Sequence, residues 1–381
     1  MLLLEADGKK LLRMSGIGIP DGVLLRREES FPALPGAGPW LAKAQVPVGG
    51  RGKAGGVKRF DAAQALPAIL RDIFQASIKG HFAKAVLVEA AQSGAELYLA
   101  LIVDAATGGV RVLFSRSGGV DIEAHTDGEG RFDILVPLDR EALRTAVHSI
   151  ARGMGSHSEA MADVGERLVD LFLQQGLLLA EINPLFALPD GSLVAGDAKV
   201  VIDMNAVRPG DVLAQILEDG ADLYPDAWRK LTEDFDFVEI DPLSRVALIT
   251  TGAGLSMMLL DELVLRGLTV YNFCDIRTGQ MRGSPDRLIR VLDWISAAPG
   301  VKQVLINVFA GITDLGEFSR LILEALAARP SFDIPIVARL VGNGEDKARE
   351  TLKDANYDIR VEDDLEKCVE LLSARLGGAH A

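Results

Sequence analysis

The sequence predicts a two-domain α/β protein whose second domain is a doubly wound parallel sheet. Three observations carry this. From residue 242 onward, short Val/Ile/Leu-rich runs alternate with amphipathic stretches in a strand–turn–helix rhythm. Three of those runs end in glycine, at "TTGAG", "FAGI" and "VGNG", where an open parallel sheet places its ligand crevice. Before residue 206 the rhythm differs, with longer strand-like runs and hairpin turns.

In chain order, "WLAKAQV" (40–46) reads as a strand leading into a glycine-rich stretch. "DAAQALPAILRDIF" (61–74) has helical spacing that Pro67 interrupts or kinks. "AKAVLVEAA", "AELYLALIVDAATGGVRVLFSRS" and "RFDILVPL" read as strands. "SEAMADVGERLVDLFLQQG" (158–176) is an amphipathic helix with Ser158 as N-cap and Gly176 at its end. "LLLAEINPLFALPDGSLVAGDAKVVID" (177–203) is a hairpin turning at Pro189, Asp190 and Gly191. Residues 206–241 read as an irregular polar linker, so the domains are expected to span 1–241, linker included, and 242–381. Five strands follow, "RVALITT", "TVYNFCDI", "QVLINVF", "IPIVARLVG" and "YDIRV", alternating with helices.

Composition narrows the function. A net charge of −14 argues against a general binder of nucleic acid or membrane surfaces. Two cysteines, Cys274 and Cys368, make no disulfide framework and no CxxC metal site, which suits a reducing cytoplasm. The start, "MLLLEADGKKLL", meets charge too soon for a signal peptide, and no apolar run is long enough to span a bilayer. His81, His125, His148, His157 and His380 show no metal-ligand spacing and read as surface or structural residues.

Against this acidic background, "KAQVPVGGRGKAGGVKRF" (43–60) gathers basic residues and glycines without one acid. Gly49, Gly50, Gly52, Gly55 and Gly56 let backbone N–H groups close round an anion, and Lys43, Arg51, Lys53 and Lys58 supply charge. The stretch is neither a P-loop nor a dinucleotide fingerprint. A second constellation is "EINP" with "GDAK". Glu181 and Asn183 share a strand face, and a three-residue hairpin loop would set Asn183 opposite Asp197. Such hard oxygens suit Mg²⁺ that takes the rest of its shell from water and phosphate. Glu89 and Glu96 bound a strand connection, where a carboxylate can accept from ribose hydroxyls. "TTGAGLSM" and "NVFAGITD" each lead from strand through glycine to a helix start, a setting for a carboxylate or phosphate.

Taken in order, "WLAKAQVPVGGRGKAGGVK", "VLVEAA", "ELYLA", "AEINPL", "GDAK", "TGAGLSM" and "NVFAGI" resemble the β subunit of succinyl-CoA synthetase and its relatives, including malate–CoA ligase. The resemblance implies an N-terminal ATP-grasp domain and a C-terminal flavodoxin-like CoA-ligase domain. It implies nucleotide binding (ATP or GTP) by Lys43, Gly50, Arg51, Gly52, Glu89, Gln92 and Glu96. Mg²⁺ would sit on Asn183 and Asp197, and the carboxylic acid on Thr251, Gly311, Ile312 and Thr313. Glu181 would position a phosphohistidine carried by a partner α subunit that also holds most of the CoA, in a heterodimer or an α2β2 assembly. The implied activity is ADP-forming acyl-CoA synthesis from a small acid. A self-contained carboxylate–amine ligase and a catalytically silent regulatory chain are the alternatives. The acid side departs from the family pattern at Thr251, at "FCDIRTGQM" (273–281) and at Asp314, which would repel a dianion if it faced the crevice. An acid other than succinate is therefore expected.

Overall fold

A computed structural model describes residues 1–27, 33–119, 130–233 and 235–376. His125 and His380 lie outside them. The chain divides into two compact units, Met1–Asp219 and Gly220–Ala381.

The first unit opens with a helix α1 (Glu5–Met14) and strands β1 (Gly22–Arg26), β2 (Trp40–Gln45) and β3 (Val57–Phe60). Helix α2 (Leu66–Gln75), a short hairpin β4 (Ser77–Ile78) and β5 (His81–Phe82), and β6 (Ala85–Ala90) follow. Strands β1, β6, β2 and β3 form an antiparallel sheet in that order. Helix α2 lays Leu70, Ile73 and Phe74 into a core with Trp40, Phe60, Val86 and Val88. Pro67 does not kink α2. It occupies the first turn, where a missing N–H costs nothing.

Strands β7 (Ala95–Asp104), β8 (Gly109–Ser115) and β9 (Arg131–Pro137) lead to helices α3 (Arg140–Ala151) and α4 (Ser158–Gln174). Then come β10 (Leu177–Ala187), β11 (Leu193–Ala195), β12 (Lys199–Ile202) and helix α5 (Val212–Asp219). The second sheet runs β11-β10-β7-β8-β9, with β12 beside the first half of β10. Ser158 is not the N-cap of α4. Its hydroxyl donates to the Ala151 carbonyl at 2.7 Å, tying α4 to the end of α3. The hairpin register is the expected one: Leu188 N–H donates to Ser192 O at 2.9 Å, Leu185 pairs with Ala195 and Glu181 with Lys199. Asn183 and Asp197 are therefore opposite positions, in the gap between two ladders of one register. The N-terminus runs along β12, with Leu2 bridging Val201 and Leu3 N–H donating to Val200 O, and so delivers α1 to the hairpin.

The stretch expected to be an irregular linker is mostly ordered. It holds α5, α6 (Pro225–Glu233) and β13 (Asp236–Glu239). Residues 220–241 belong by packing to the second unit, because β13 pairs with β15 (Asn272–Asp275) there. That unit continues with β14 (Val246–Thr250), helix α7 (Ala253–Leu265), helix α8 (Asp286–Ala297), β16 (Gln303–Ala310), α9 (Leu315–Ala327), β17 (Ile336–Gly342), α10 (Glu345–Lys353), β18 (Ile359–Val361) and α11 (Leu365–Arg375). The parallel sheet is β14-β16-β17-β18. Alternate residues of β14 serve opposite cores: Ala247 and Ile249 pack with α8 and α9, Val246 and Leu248 with α7 and α11. The sheet is thus covered on both faces, as expected. The fifth strand, β15, joins it differently. The Asn272 side chain, fully buried, accepts from Leu248 N and donates to Leu248 O, standing in for ladder bonds. Cys274 and Cys368 are buried and free, and burial pushes both thiols up to about 12. No helix among the described residues is long and apolar enough to cross a membrane.

Candidate active site

Lys43 on β2 points into the first unit, not toward solvent, and is buried. Its Nζ donates to Glu5 Oε1 at 2.8 Å and to the Gly196 carbonyl at 2.7 Å, and lies 2.5 Å from Glu89 Oε1. Lys9 completes the same cage, at 3.0 Å from Glu5 Oε1, 2.5 Å from Glu89 Oε2 and 2.8 Å from Gly196 O. Arg51 turns inward from the glycine loop. Its Nη2 donates to Glu5 and, at 3.0 and 3.1 Å, to the two Asp197 oxygens; its Nη1 donates to Ala44 O. Three bases and three acids therefore share one buried cluster.

The charges divide unequally. Burial alone would raise the Glu5 carboxyl, but Lys9, Lys43 and Arg51 outweigh it and hold Glu5 below the usual carboxylate range. Burial opposes the Lys43 and Arg51 charges too, yet their carboxylate neighbours raise both groups. Asp197 goes the other way: burial, then the Glu5 charge, push it upward despite Arg51. Glu5 and Asp197 share one guanidinium, Glu5 from the deeper side and Asp197 from the outer one.

Glu89 corrects an expectation. Its carboxylate is not a solvated strand end open to a ribose; it is 2% exposed and ion-paired to two lysines. Gln92 is half-buried in the β6–β7 connection and Glu96 is exposed on β7. Gly119 joins Glu96 to the hairpin: a Cβ on Gly119 would meet Glu96 Oε2 at 2.6 Å, and Gly119 exchanges two hydrogen bonds with the Asn183 amide, at 2.6 and 3.1 Å. Glu181 and Asn183 stand on the half-buried face of β10, while Ala180 and Ile182 fill the core. Tyr98 donates to Glu181 Oε2 at 3.4 Å. Gly50 has φ 70°, and a side chain there would strike Lys79 Nζ at 2.9 Å; Gly52 has open space instead. Lys58, expected to lend charge to the loop, pairs with Asp72 of α2 at 2.8 Å.

The hairpin suits a hard divalent cation. Asn183 offers an amide oxygen opposite the Asp197 carboxylate, whose side chain is 35% exposed beside Arg51. No group of three or more His, Cys, Asp or Glu side chains among the described residues could cage a metal. A cation here would complete its shell from water and phosphate oxygens, as Mg²⁺ does.

In the second unit, the turns after β14, β15 and β16 meet through hydroxyls. Thr278 Oγ1 lies 3.3 Å from Thr251 Oγ1 and 2.9 Å from Thr313 Oγ1. Gly311 is exposed and Ile312 is 97% exposed. Thr278 was not foreseen; its signal was its place in the "IRTG" turn after a strand. Asp314 is exposed. It caps α9, accepting from Glu317 N–H at 2.9 Å. Arg277 is held by Asp236 at 2.8 Å.

Comparison with known proteins gives the class. A family model described as an ATP-grasp domain matches residues 2–187, and one described as CoA-ligase matches residues 249–369. This domain pair defines a nucleotide-dependent CoA ligase. The chain is 34% identical over 366 residues to the succinate–CoA ligase [ADP-forming] subunit β of Chloroflexus aurantiacus, covering 93% of this chain and 94% of the relative. It is 32% identical to the protein of that name from Gemmatimonas aurantiaca, covering 100% of both. The chain belongs to the family of succinate–CoA ligase (ADP-forming) β subunits. A solved ATP citrate lyase from Methanothrix soehngenii, in complex with citrate and coenzyme A, has the same fold. It covers 98% of this chain and 99% of its own, with TM-score 0.69 at 18% identity.

Proposed function

We propose that this chain is the β subunit of an ADP-forming carboxylate–CoA ligase that works with an α subunit. The supporting observation is the juxtaposition of Arg51, held in a buried charge cluster, with Asp197, which faces Asn183 across the hairpin. In this reading Arg51 and the backbone of Gly50 and Gly52 receive the nucleotide polyphosphate, with Lys43 and Glu89 as buried supports behind them and Gln92 and Glu96 bordering the nucleoside. Asn183 and Asp197 hold Mg²⁺, which neutralises phosphate charge when bound. The γ-phosphoryl leaves ADP for a histidine on the α subunit, which Glu181, steadied by Tyr98, orients. The acid then takes that phosphoryl as an acyl phosphate, and CoA thiol displaces inorganic phosphate. Thr251, Thr313 and the Gly311–Ile312 turn receive the acid. The chain contributes position and charge, which is most of what phosphoryl transfer asks of a protein. Cytoplasmic location is part of the same proposal.

The test is reconstitution with the α subunit and a panel of mono-, hydroxy- and dicarboxylic acids. Acyl-CoA and ADP should form together, one for one, with at least one acid. ATP turnover without thioester for every acid would overturn the reading.

A further inference from the structure

Resting on that nucleotide-site reading, we propose that Glu5 is a positioning residue for Arg51, keeping its guanidinium in place when Asp197 is taken up by a metal ion. Three observations lead there. Among the described residues, Arg51 has two carboxylate partners, Glu5 and Asp197, and one carbonyl, Ala44. Asp197 is the outer partner, with 35% of its side chain exposed, and it is the one that faces Asn183. Glu5 is the inner partner, with a side chain 1% exposed at the first turn of α1. A carboxylate that binds a cation gives up most of its hold on a guanidinium. Glu5 then remains as the only carboxylate on Arg51. Lys43 is in a different position, because Glu89 and Gly196 O hold it whether or not Glu5 is charged.

Glu5 is itself fixed from three sides. The N-terminal segment is bonded along β12, Ala6 N–H donates to Gln45 Oε1 at 3.0 Å, and Lys9 pairs one turn along at 3.0 Å. Its two oxygens are divided, Oε1 to the lysines and Oε2 to Arg51. The α1 start therefore acts as a rigid bracket for Arg51.

The experiment is a double-substitution cycle read by calorimetric titration of Mg-ATP, with melting curves for every protein. Glu5→Gln in the native background should weaken Mg-ATP about tenfold, since a charged hydrogen bond that orients a ligand-binding group is worth this order. In an Arg51→Met background, itself weaker, Glu5→Gln should add less than twofold. Equal losses in both backgrounds, or no loss in a folded Glu5→Gln protein, would overturn the proposal. If Glu5→Gln does not fold, Glu5→Asp keeps the cluster's charge but shortens the reach, and the same cycle applies with about a threefold loss that vanishes beside Arg51→Met. If the native chain fails to bind Mg-ATP at all, the nucleotide-site reading fails and takes this proposal with it. A native chain that binds while the cycle is additive rejects Glu5 alone.

Discussion

Asp197 and Glu5 hold opposite ends of one contest, and this decides what a substitution at Asp197 does. Because burial and the Glu5 charge raise the Asp197 carboxyl, its ionised form is less favourable in the folded chain than in the unfolded one. The sign follows: for an acid with a raised folded value, the folded state loses stability as pH climbs past the unfolded value near 3.9, and solvent reaching the 35% exposed Asp197 side chain keeps that loss small. Asp197→Asn removes that charge and leaves Arg51 on Glu5. The melting temperature should stay within about 2 °C or rise, while Mg-ATP affinity falls at least about tenfold. Calorimetry beside melting curves checks this; a large drop in melting temperature with unchanged affinity would make Asp197 a structural partner only. Asn183 opposite Asp197 was legible in the sequence, because the Pro189–Gly191 turn fixes the register and strand alternation does the rest. Glu5 and Lys9 were not read. Their signal is faint: two charges at i and i+4 on the face that Gly8, Leu11 and Leu12 bury. A charged pair on a helix's buried face looks like an ordinary surface pair until its partners, here from β2, β6 and the hairpin, arrive from distant sequence.

At the scale of elements, Asp314 shows how a turn residue can be claimed by a helix. The α9 start has free N–H groups, and an Asp side chain reaches back to one of them. Asp314→Ala should cost about 1 kcal/mol, lowering the melting temperature by about 2–4 °C for a unit of this size. KM for the acid in the reconstituted enzyme should not change. A KM for dicarboxylic acids that falls tenfold or more would mean the carboxylate faces the acid after all. Strand and helix types were legible because their periods are strong, as in β16 and α4. Ends were not: Pro67 was read as a break and is a start, and Ser158 was read as a cap and is a cross-tie. In both cases the deciding contact is local geometry that residue type alone leaves open. The β15 strand carries strand-like residues, but whether it joins by ladder or by the Asn272 amide depends on its neighbour β14.

For the whole molecule, the doubly wound second unit was legible from alternation alone, whereas the acidic stretch before it misled. Its Asp and Glu suggest a solvated linker, yet Phe235 and Phe237 are buried and anchor it to Tyr271 and Trp294. Two buried aromatics spaced two apart, Phe235 just before β13 and Phe237 on it, are the sign in the sequence. The division of labour between units yields the remaining prediction. The residues proposed for the nucleotide belong to the first unit and those proposed for the acid to the second. In the proposed reading a histidine of the α subunit carries the phosphoryl group from nucleotide to acid. Of the described histidines, His148 meets Glu166 at 2.6 Å and His157 the Leu188 carbonyl at 2.9 Å, while His81 is exposed on a two-residue strand. Both thiols are buried with raised values, which leaves them poor substitutes. The isolated chain should therefore bind Mg-ATP yet form thioester at least on the order of 10³-fold more slowly than the α/β pair, as expected when the nucleophile itself is missing. Adding an α subunit whose carrier histidine is changed to asparagine should restore assembly but not turnover. Thioester formation by the isolated chain at a rate near that of the pair would overturn the carrier argument. ADP release with an amine acceptor and no CoA would instead favour a self-contained carboxylate–amine ligase.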